Sequence, residues 1–318
     1  MKKYLMMISV VASLAFVGCN DFKLDNGDSE KPGGEEEKPG GSDIDNPGLV
    51  SEYDYAENGV SFGGGLKVDG VIWAPVNAGS TSADKKGNYF FFNDAKSCCP
   101  DGWRLPTEKE MKALTLNCNP DIVQYDGLSG LWCSGLEEFK YNQGNDGTVS
   151  LAVPSVFLPC AGYMVSGTAV EDAGMYWVEG ESGAGMICDL NNRGTFNVDD
   201  GVSMLTSRCV HEDSELVVPT MTMDGTVFIV STGGGSSGNY VTFEYPDGRD
   251  AQKGLLPALN ATSNSSWCYV STEFDKNGKF CVNVRASANP MSSTREAVIT
   301  VTFFDQTIKC TATQYPKQ

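Results

Sequence analysis

The chain has 318 residues and a formal net charge of −18 at neutral pH, with 41 acidic against 23 basic residues. A surface this acidic repels nucleic acid and anionic lipid headgroups, which argues against both as binding partners. Its single histidine, His211, excludes a multi-histidine metal site, and no Ser-His-Asp or Cys-His motif is assembled around it. We therefore predict no catalytic residue, no metal and no cofactor.

Residues 1–19 have the pattern of a secretory signal. Two lysines precede an apolar run over residues 4–17, and Gly18 and Cys19 follow. About fourteen apolar residues are too few for a transmembrane helix but suit a cleaved signal peptide. The Gly18-Cys19 junction resembles the lipobox of bacterial lipoproteins, in which the cysteine receives a diacylglycerol and becomes the new N-terminus. The alternative is an ordinary signal peptide followed by a chance cysteine.

The lipobox resemblance implies a signal peptide at residues 1–18 and a lipid anchor at Cys19. Acyl chains acting together hold a protein at a membrane without a transmembrane helix. We therefore expect an outer-membrane or cell-surface location. Outside the cytoplasm, the eleven cysteines of the chain favour disulfide formation.

Residues 19–48 change abruptly in composition. The segments EKPGG and EEEKPGG form a crude acidic repeat with almost no large apolar side chain. Such a sequence predicts a disordered, solvated tether that lifts the folded part off the membrane. The remaining length allows two ordinary domains, which we place at residues 49–212 and 213–318.

One helix stands out in the first predicted domain. Thr107 and Glu110 fit the capping-box pattern at a helix N-terminus, and Met111 and Leu114 give the inner face of the helix. The pattern predicts that Glu110 caps the helix and does not act as a general acid.

The second predicted domain shows short runs in which apolar and polar residues alternate. The clearest runs are residues 227–230, 241–245, 297–303 and 308–313, separated by Asp-Gly, Asn-Gly and Asn-Pro turns. Alternation of period two in short segments predicts an all-β sandwich.

Residues 99–111 (CPDGWRLPTEKEM) resemble the Fibrobacter succinogenes major paralogous domain. Further matches occur in order at residues 70–74, 158–163, 174–177 and 207–210. The resemblance implies an α+β C-type-lectin-like fold, which is also seen in formylglycine-generating enzymes. Members of the family are mostly extracellular and functionally uncharacterised.

In C-type-lectin-like folds the first helix region is commonly tied to the last strand. The resemblance therefore implies a disulfide between Cys99 and Cys209, with Cys98 as a competitor for the same partner. The enzyme alternative needs a cysteine pair that reaches into one groove. The adjacent residues Cys98 and Cys99 do not fit that requirement, so we predict a protein without enzymatic activity.

Residues 266–270 (SWCYV), 289–290, 295–301 and 311–314 resemble a BACON-type module. This family implies an immunoglobulin-like β-sandwich. A carbohydrate- or mucin-binding role is proposed for the family, although many copies act as spacers. The predicted fold class is thus an α+β C-type-lectin-like domain followed by an all-β immunoglobulin-like sandwich.

Aromatic rings offer flat apolar faces to the C–H side of a sugar. The candidate platform is Trp132, Tyr163, Tyr176 and Trp177, with core packing as the alternative for each ring. Trp103 and Trp267 stand at family-signature positions, and we predict that both are core residues.

Two acidic segments, residues 197–201 and 119–121, are the only hints of a calcium site in the sequence. Neither has the spacing of a calcium-dependent lectin, and turn formation explains both. We therefore expect the chain to bind a glycan, mucin or another surface component without catalysis. The alternative is a structural or adhesive subunit that contacts surface proteins and has no small ligand.

Overall fold

The computed structural model describes residues 44–81, 85–116, 122–125, 127–134, 141–143, 149–151, 154–171, 173–191, 196–249 and 253–316. Strands make up 52% of these residues and helices 8%. In the described ranges, no helix has the length and apolar character needed to cross a membrane. The predicted signal peptide, Cys19 and most of the predicted tether lie outside the described residues. The described residues all belong to one compact unit.

The N-terminal region, residues 44–211, is built from short strands and two helices. The helices are α1 (Phe92–Ala95) and α2 (Glu108–Leu116). The strands are β1 (Ile44–Asp45), β2 (Leu49–Glu57), β3 (Val60–Val68), β4 (Val71–Trp73), β5 (Trp103–Arg104), β6 (Val123–Tyr125), β7 (Leu128–Ser134), β8 (Tyr141–Gln143), β9 (Val149–Leu151), β10 (Ser155–Pro159), β11 (Tyr163–Val165), β12 (Thr168–Val170), β13 (Met175–Glu179), β14 (Gly185–Asp189), β15 (Phe196–Val198), β16 (Ser203–Leu205) and β17 (Val210–His211).

Five small sheets organise the described strands of this region. One sheet has five strands in the order β2-β3-β4-β17-β5, and it brings the end of the region beside its beginning. The other four have three strands each, in the orders β1-β9-β8, β10-β7-β6, β12-β11-β16 and β13-β14-β15. The β1–β9 pair is parallel, and the other strand pairs of these sheets are antiparallel.

The capping box predicted for α2 is present. The Thr107 backbone N–H donates to Glu110 Oε2 at 2.7 Å, and the Glu110 backbone N–H donates to Thr107 Oγ1 at 3.2 Å. Arg104 Nη2 also donates to Glu110 Oε1 at 2.7 Å. Because the first N–H groups of a helix lack partners within it, these bonds fix where α2 begins. Glu110 is a buried cap, as predicted.

The C-terminal region, residues 220–314, contains two four-stranded sheets. Their strands are β18 (Thr220–Met223), β19 (Val227–Val230), β20 (Gly234–Glu244), β21 (Leu259–Ser263), β22 (Cys268–Phe274), β23 (Phe280–Ser287), β24 (Arg295–Phe303) and β25 (Gln306–Gln314), with a 3-10 helix at Lys253–Ala258. The orders are β18-β20-β23-β22 and β19-β25-β24-β21. The β19–β25 pair is parallel.

Both C-terminal sheets contribute to one apolar core. Along β19, Phe228 and Val230 are buried while Val227 and Ile229 are exposed, which is the alternation that the sequence predicts. Leu116, the last residue of α2, is buried in this same core. Other buried members are Val241, Phe243, Val282, Val284, Ala297, Ile299, Val301, Phe303 and Ala312.

The predicted fold class, an α+β C-type-lectin-like domain followed by an all-β immunoglobulin-like sandwich, is wrong. Strands dominate the described residues, and the N-terminal region is a set of many small sheets with little helix. Its only extended helix, in the described ranges, is the nine-residue α2. The rest of that region has short apolar runs broken by turns, and such runs are long enough for short strands but not for helices.

The sequence assigns residues 44–48 to the tether, but the structure places them in the folded region. Asp45 lies in β1, which pairs with β9, and Asn46 is buried. Asn46 Nδ2 donates to the Ser155 carbonyl at 2.8 Å, and its Oδ1 accepts the Gly48 N–H at 3.0 Å. These bonds satisfy the buried amide, so residues 44–48 belong to the fold.

Candidate binding cleft

The structure places three of the four predicted sugar-platform residues in the core. Trp132, Tyr176 and Trp177 have exposed fractions of 1%, 0% and 0%. Tyr176 Oη donates to the Pro159 carbonyl at 2.5 Å, and Trp177 Nε1 donates to the Phe90 carbonyl at 2.6 Å. A ring enclosed in this way cannot stack on a sugar, so the prediction for these three residues is wrong.

Tyr163, the fourth platform residue, is half-buried on β11 and packs against the apolar cluster that contains Trp177. Trp103 is a core residue as predicted, with its ring edge-on to Tyr55 at 5.1 Å. Trp267 packs against the core of the C-terminal sheets, as predicted, but it is only half-buried, and the Arg295 guanidinium covers its ring at 4.3 Å.

The acidic segment at residues 197–201 runs from the end of β15 into a turn. Asp200 Oδ1 accepts the backbone N–H groups of Val202 and Ser203 at 2.9 and 2.8 Å, and Asp199 Oδ1 accepts that of Gly201 at 2.8 Å. These bonds lower the pKa of Asp200 below its ordinary value, the Val202 N–H having the largest effect. The second segment, residues 119–121, lies outside the described residues.

The structure contains the predicted disulfide between Cys99 and Cys209, whose Cα atoms are 5.9 Å apart. The disulfide joins the segment before β5 to the segment before β17. These two segments lie close together because β5 and β17 are neighbouring strands. Cys98 keeps its thiol, and its Sγ lies 4.0 Å from Cys99 Sγ. Cys133 is also disulfide-bonded.

A cleft of about 590 Å³ lies between the N-terminal and C-terminal regions. This volume is within the range of about 300–1,000 Å³ that is usual for small-molecule sites. Three segments supply most of its lining: the β3–β4 turn, the segment joining the two regions, and the loop after β20. The lining residues are Lys67, Val68, Asp69, Gly70, Pro154, Asp213, Glu215, Val217, Pro246, Asp247 and Arg249.

The β3–β4 turn anchors the segment that joins the two regions. Asp69 and Gly70 both have positive φ angles, 46° and 81°, as the tight turn of a hairpin requires. The Val217 N–H donates to the Asp69 carbonyl at 2.8 Å, and the Glu215 N–H donates to the Gly70 carbonyl at 3.2 Å. A Cβ at Gly70 would lie 2.0 Å from the Glu215 carbonyl oxygen, so this close approach requires glycine.

A line of three charges runs along the cleft. Arg249 Nη2 lies 2.9 Å from Asp69 Oδ1, and Arg249 Nε lies 2.6 Å from Asp247 Oδ2. The guanidinium is also 4.0 Å from the centre of the Tyr245 ring, which supports it from one side. The Asp69 side chain is only 8% exposed, and its burial raises its pKa while Arg249 opposes the shift.

The lining combines apolar walls with fixed hydrogen-bonding groups. Val68, Pro154, Val217 and Pro246 supply apolar surface, and the carboxylates along the cleft accept hydrogen bonds. Lys67 and Arg249 supply donors. This arrangement suits a neutral ligand that carries many hydroxyl groups, because each hydroxyl both donates and accepts.

Sequence reasoning missed this cleft. Asp69-Gly70 marks a turn in the sequence, but nothing near Arg249 indicates that its partner stands 180 positions earlier. A single ion pair over such a separation leaves no local pattern.

Comparisons with known proteins leave the class of the chain open. No family model matches it, and no curated protein matches it. Among solved structures, it has a similarity to a Bacteroides ovatus GH5 xyloglucanase in complex with a XXXG heptasaccharide, at 18% identity and a TM-score of 0.24. That match covers 31% of this chain and 19% of the other. A likeness this weak carries no argument about fold or function.

Proposed function

We propose that this protein is a bacterial lipoprotein, anchored through Cys19, that binds a glycan in the cleft between its two regions without catalysing a reaction. The observation that carries the proposal is the charge line Asp69–Arg249–Asp247 inside a cleft of about 590 Å³. A glycan attached to mucin or to another surface component carries the same hydroxyl groups and meets the same requirement.

The charge line is set before any ligand arrives. Arg249 bridges the two carboxylates, and Tyr245 supports the guanidinium. Groups fixed in this way lose little conformational freedom when a ligand binds, so more of the interaction free energy contributes to affinity. The remaining carboxylate oxygens accept from sugar hydroxyls, and the apolar walls contact the C–H faces of the sugar.

Binding suits this arrangement better than catalysis. Acid–base cleavage of a glycosidic bond requires one carboxylic acid and one free carboxylate on opposite sides of the bond. Asp69 and Asp247 instead are both ion-paired to one guanidinium, at 2.9 and 2.6 Å, so each is already engaged as an acceptor of its N–H groups.

A glycan array tests the proposal. The chain is produced as the unlipidated Cys19→Ser variant, alone and with Asp69→Asn or Arg249→Gln added. We expect each cleft variant to weaken binding at least tenfold. The matched control is Glu296→Gln, which removes an exposed charge from β24 and should leave binding unchanged.

Two array outcomes contradict glycan binding in the cleft. If either cleft variant bound glycan as tightly as its parent, the cleft would not be the binding site. No binding to any glycan, together with stable capture of surface proteins, would favour the structural or adhesive alternative.

The lipid anchor has its own test. Cys19→Ser should release the protein from membranes and abolish incorporation of a labelled fatty-acid analogue. Retention in the membrane fraction with undiminished labelling would contradict the anchor, whatever the array shows.

A further inference from the structure

Three sulfur atoms lie together in the apolar cluster that contains Tyr55 and Trp103. The Sγ atoms of Cys98, Cys99 and Cys209 are all within 4.8 Å of one another. Cys99 and Cys209 form the disulfide, while Cys98 keeps its thiol. Cys98 is also half-buried, whereas the other thiols of the described residues are buried: Cys160, Cys188, Cys268, Cys281 and Cys310.

We propose that Cys98 exchanges with Cys99 for the disulfide to Cys209, so that the protein interconverts between two covalent isomers. In the exchange, the Cys98 side chain first rotates until its thiolate lies in line with the Cys209–Cys99 bond, and the thiolate then attacks Cys209 Sγ. The Cys98–Cys209 bond forms, the Cys99–Cys209 bond breaks, and Cys99 leaves as a thiolate. Cys99 then takes up a proton in place of the one that Cys98 lost. The number of disulfides and thiols is unchanged, so no oxidant or reductant takes part.

The alternative product, a disulfide between Cys98 and Cys99, is disfavoured by geometry. Consecutive Cα atoms across a trans peptide are about 3.8 Å apart, whereas disulfides span about 4.4–6.8 Å between Cα atoms. Attack at Cys209 avoids this constraint, because Cys209 belongs to a distant segment of the chain. The exchange therefore moves the partner of Cys209 by one residue.

The surroundings of Cys98 keep the exchange slow at neutral pH. Burial raises the pKa of Cys98 to about 11, with a smaller contribution from the nearby Glu57 carboxylate, while Ser207 opposes the shift. Tyr55 also faces this cluster, and its hydroxyl donates to Cys209 Sγ at 3.8 Å. Only the thiolate attacks. At pH values below the thiol pKa, the exchange rate should therefore rise about tenfold for each unit by which the pH is increased.

Peptide mapping of the full chain tests the exchange. The protein is incubated without reductant at about pH 7 or pH 9, then quenched in acid and alkylated in denaturant. The tryptic peptide 97–104 contains both Cys98 and Cys99, and fragmentation in the mass spectrometer shows which one carries the label. We expect the label to move in part from Cys98 to Cys99, about a hundredfold faster at the higher pH. Label that stays on Cys98 alone at the higher pH would overturn the proposal.

Two variants complete the test. In Cys98→Ser, Cys99 should remain unlabelled throughout, and a label there would assign the opening of the disulfide to a different thiol. In Cys99→Ser, a Cys98–Cys209 disulfide should form, and a folded variant with both cysteines alkylated would also overturn the proposal. The wild-type measurement stands whether or not Cys99→Ser folds.

Discussion

Arg249 Nη2 lies 2.9 Å from Asp69 Oδ1, so one ion pair joins the loop after β20 to the β3–β4 turn. Lys109 makes a second link, since its Nζ contacts Glu181 at 3.1 Å and Asp305 at 2.5 Å. Leu116 makes the third, because it is buried in the core of the C-terminal sheets. The two regions are therefore held together by charge at two places and by apolar packing at a third.

Arg249→Ala should lower the free energy of unfolding by about 1–3 kcal/mol, because the buried Asp69 carboxylate loses its charged partner. Urea denaturation measures the loss. The same substitution should cost less in an Asp69→Asn background, where no buried charge remains. Equal losses in the two backgrounds would show that the Asp69–Arg249 pair contributes nothing specific to stability.

The stability contribution of Asp69 should depend on pH. Burial raises its pKa above the ordinary value of 3.8. A carboxyl whose pKa is raised by folding favours the protonated form, so its contribution is fully present below the unfolded pKa and is lost as pH rises through the folded pKa. The wild-type free energy of unfolding, measured relative to Asp69→Asn, should fall as pH rises from 3.8 toward neutrality. A difference that stays level or grows would contradict the raised pKa.

Glu110→Ala should destabilise the protein by about 2–3 kcal/mol, since it removes the cap of α2 and the partner of Arg104. Glu110→Gln should cost less, because its amide oxygen still accepts the Thr107 N–H. Glu108→Ala, in the same helical turn, serves as the control and should change stability by no more than about 0.5 kcal/mol. Chemical denaturation of the three variants makes the comparison, and equal losses for Glu110→Ala and Glu108→Ala would argue against the capping role.

Trp132→Ala and Trp177→Ala should each destabilise by about 3–5 kcal/mol, since both rings are enclosed in the core. Tyr269, an aromatic residue that is 66% exposed, provides the control, and its replacement by Ala should change stability by about 0.5 kcal/mol or less. Differential scanning calorimetry measures all three. A tryptophan variant that keeps its stability and loses glycan binding would restore the aromatic-platform hypothesis.

Local patterns predicted the features that depend on local physics. The Thr107–Glu110 capping box needs only four consecutive residues, and the alternation along β19 needs only a strand with one buried face. The Cys99–Cys209 disulfide came from a family resemblance and not from spacing. Each of these predictions matches a feature that the structure contains.

The predictions that failed depend on tertiary packing. The sequence makes Trp132 a candidate for the sugar platform, yet the residue lies in β7 with its ring against Tyr125 and Phe157. A pattern shows that a side chain is apolar, and only the assembled fold determines which surface covers it.

The Cys99–Cys209 disulfide has a mechanical consequence. It encloses a sequence separation of 110 residues, which would extend to about 360–400 Å if fully unravelled. When opposite ends of the chain are pulled apart, the covalent bond carries the load past this loop. Strands β5 to β16, which lie within the loop, are therefore shielded from stretching, and the extra length that a sustained pull can release comes from outside it.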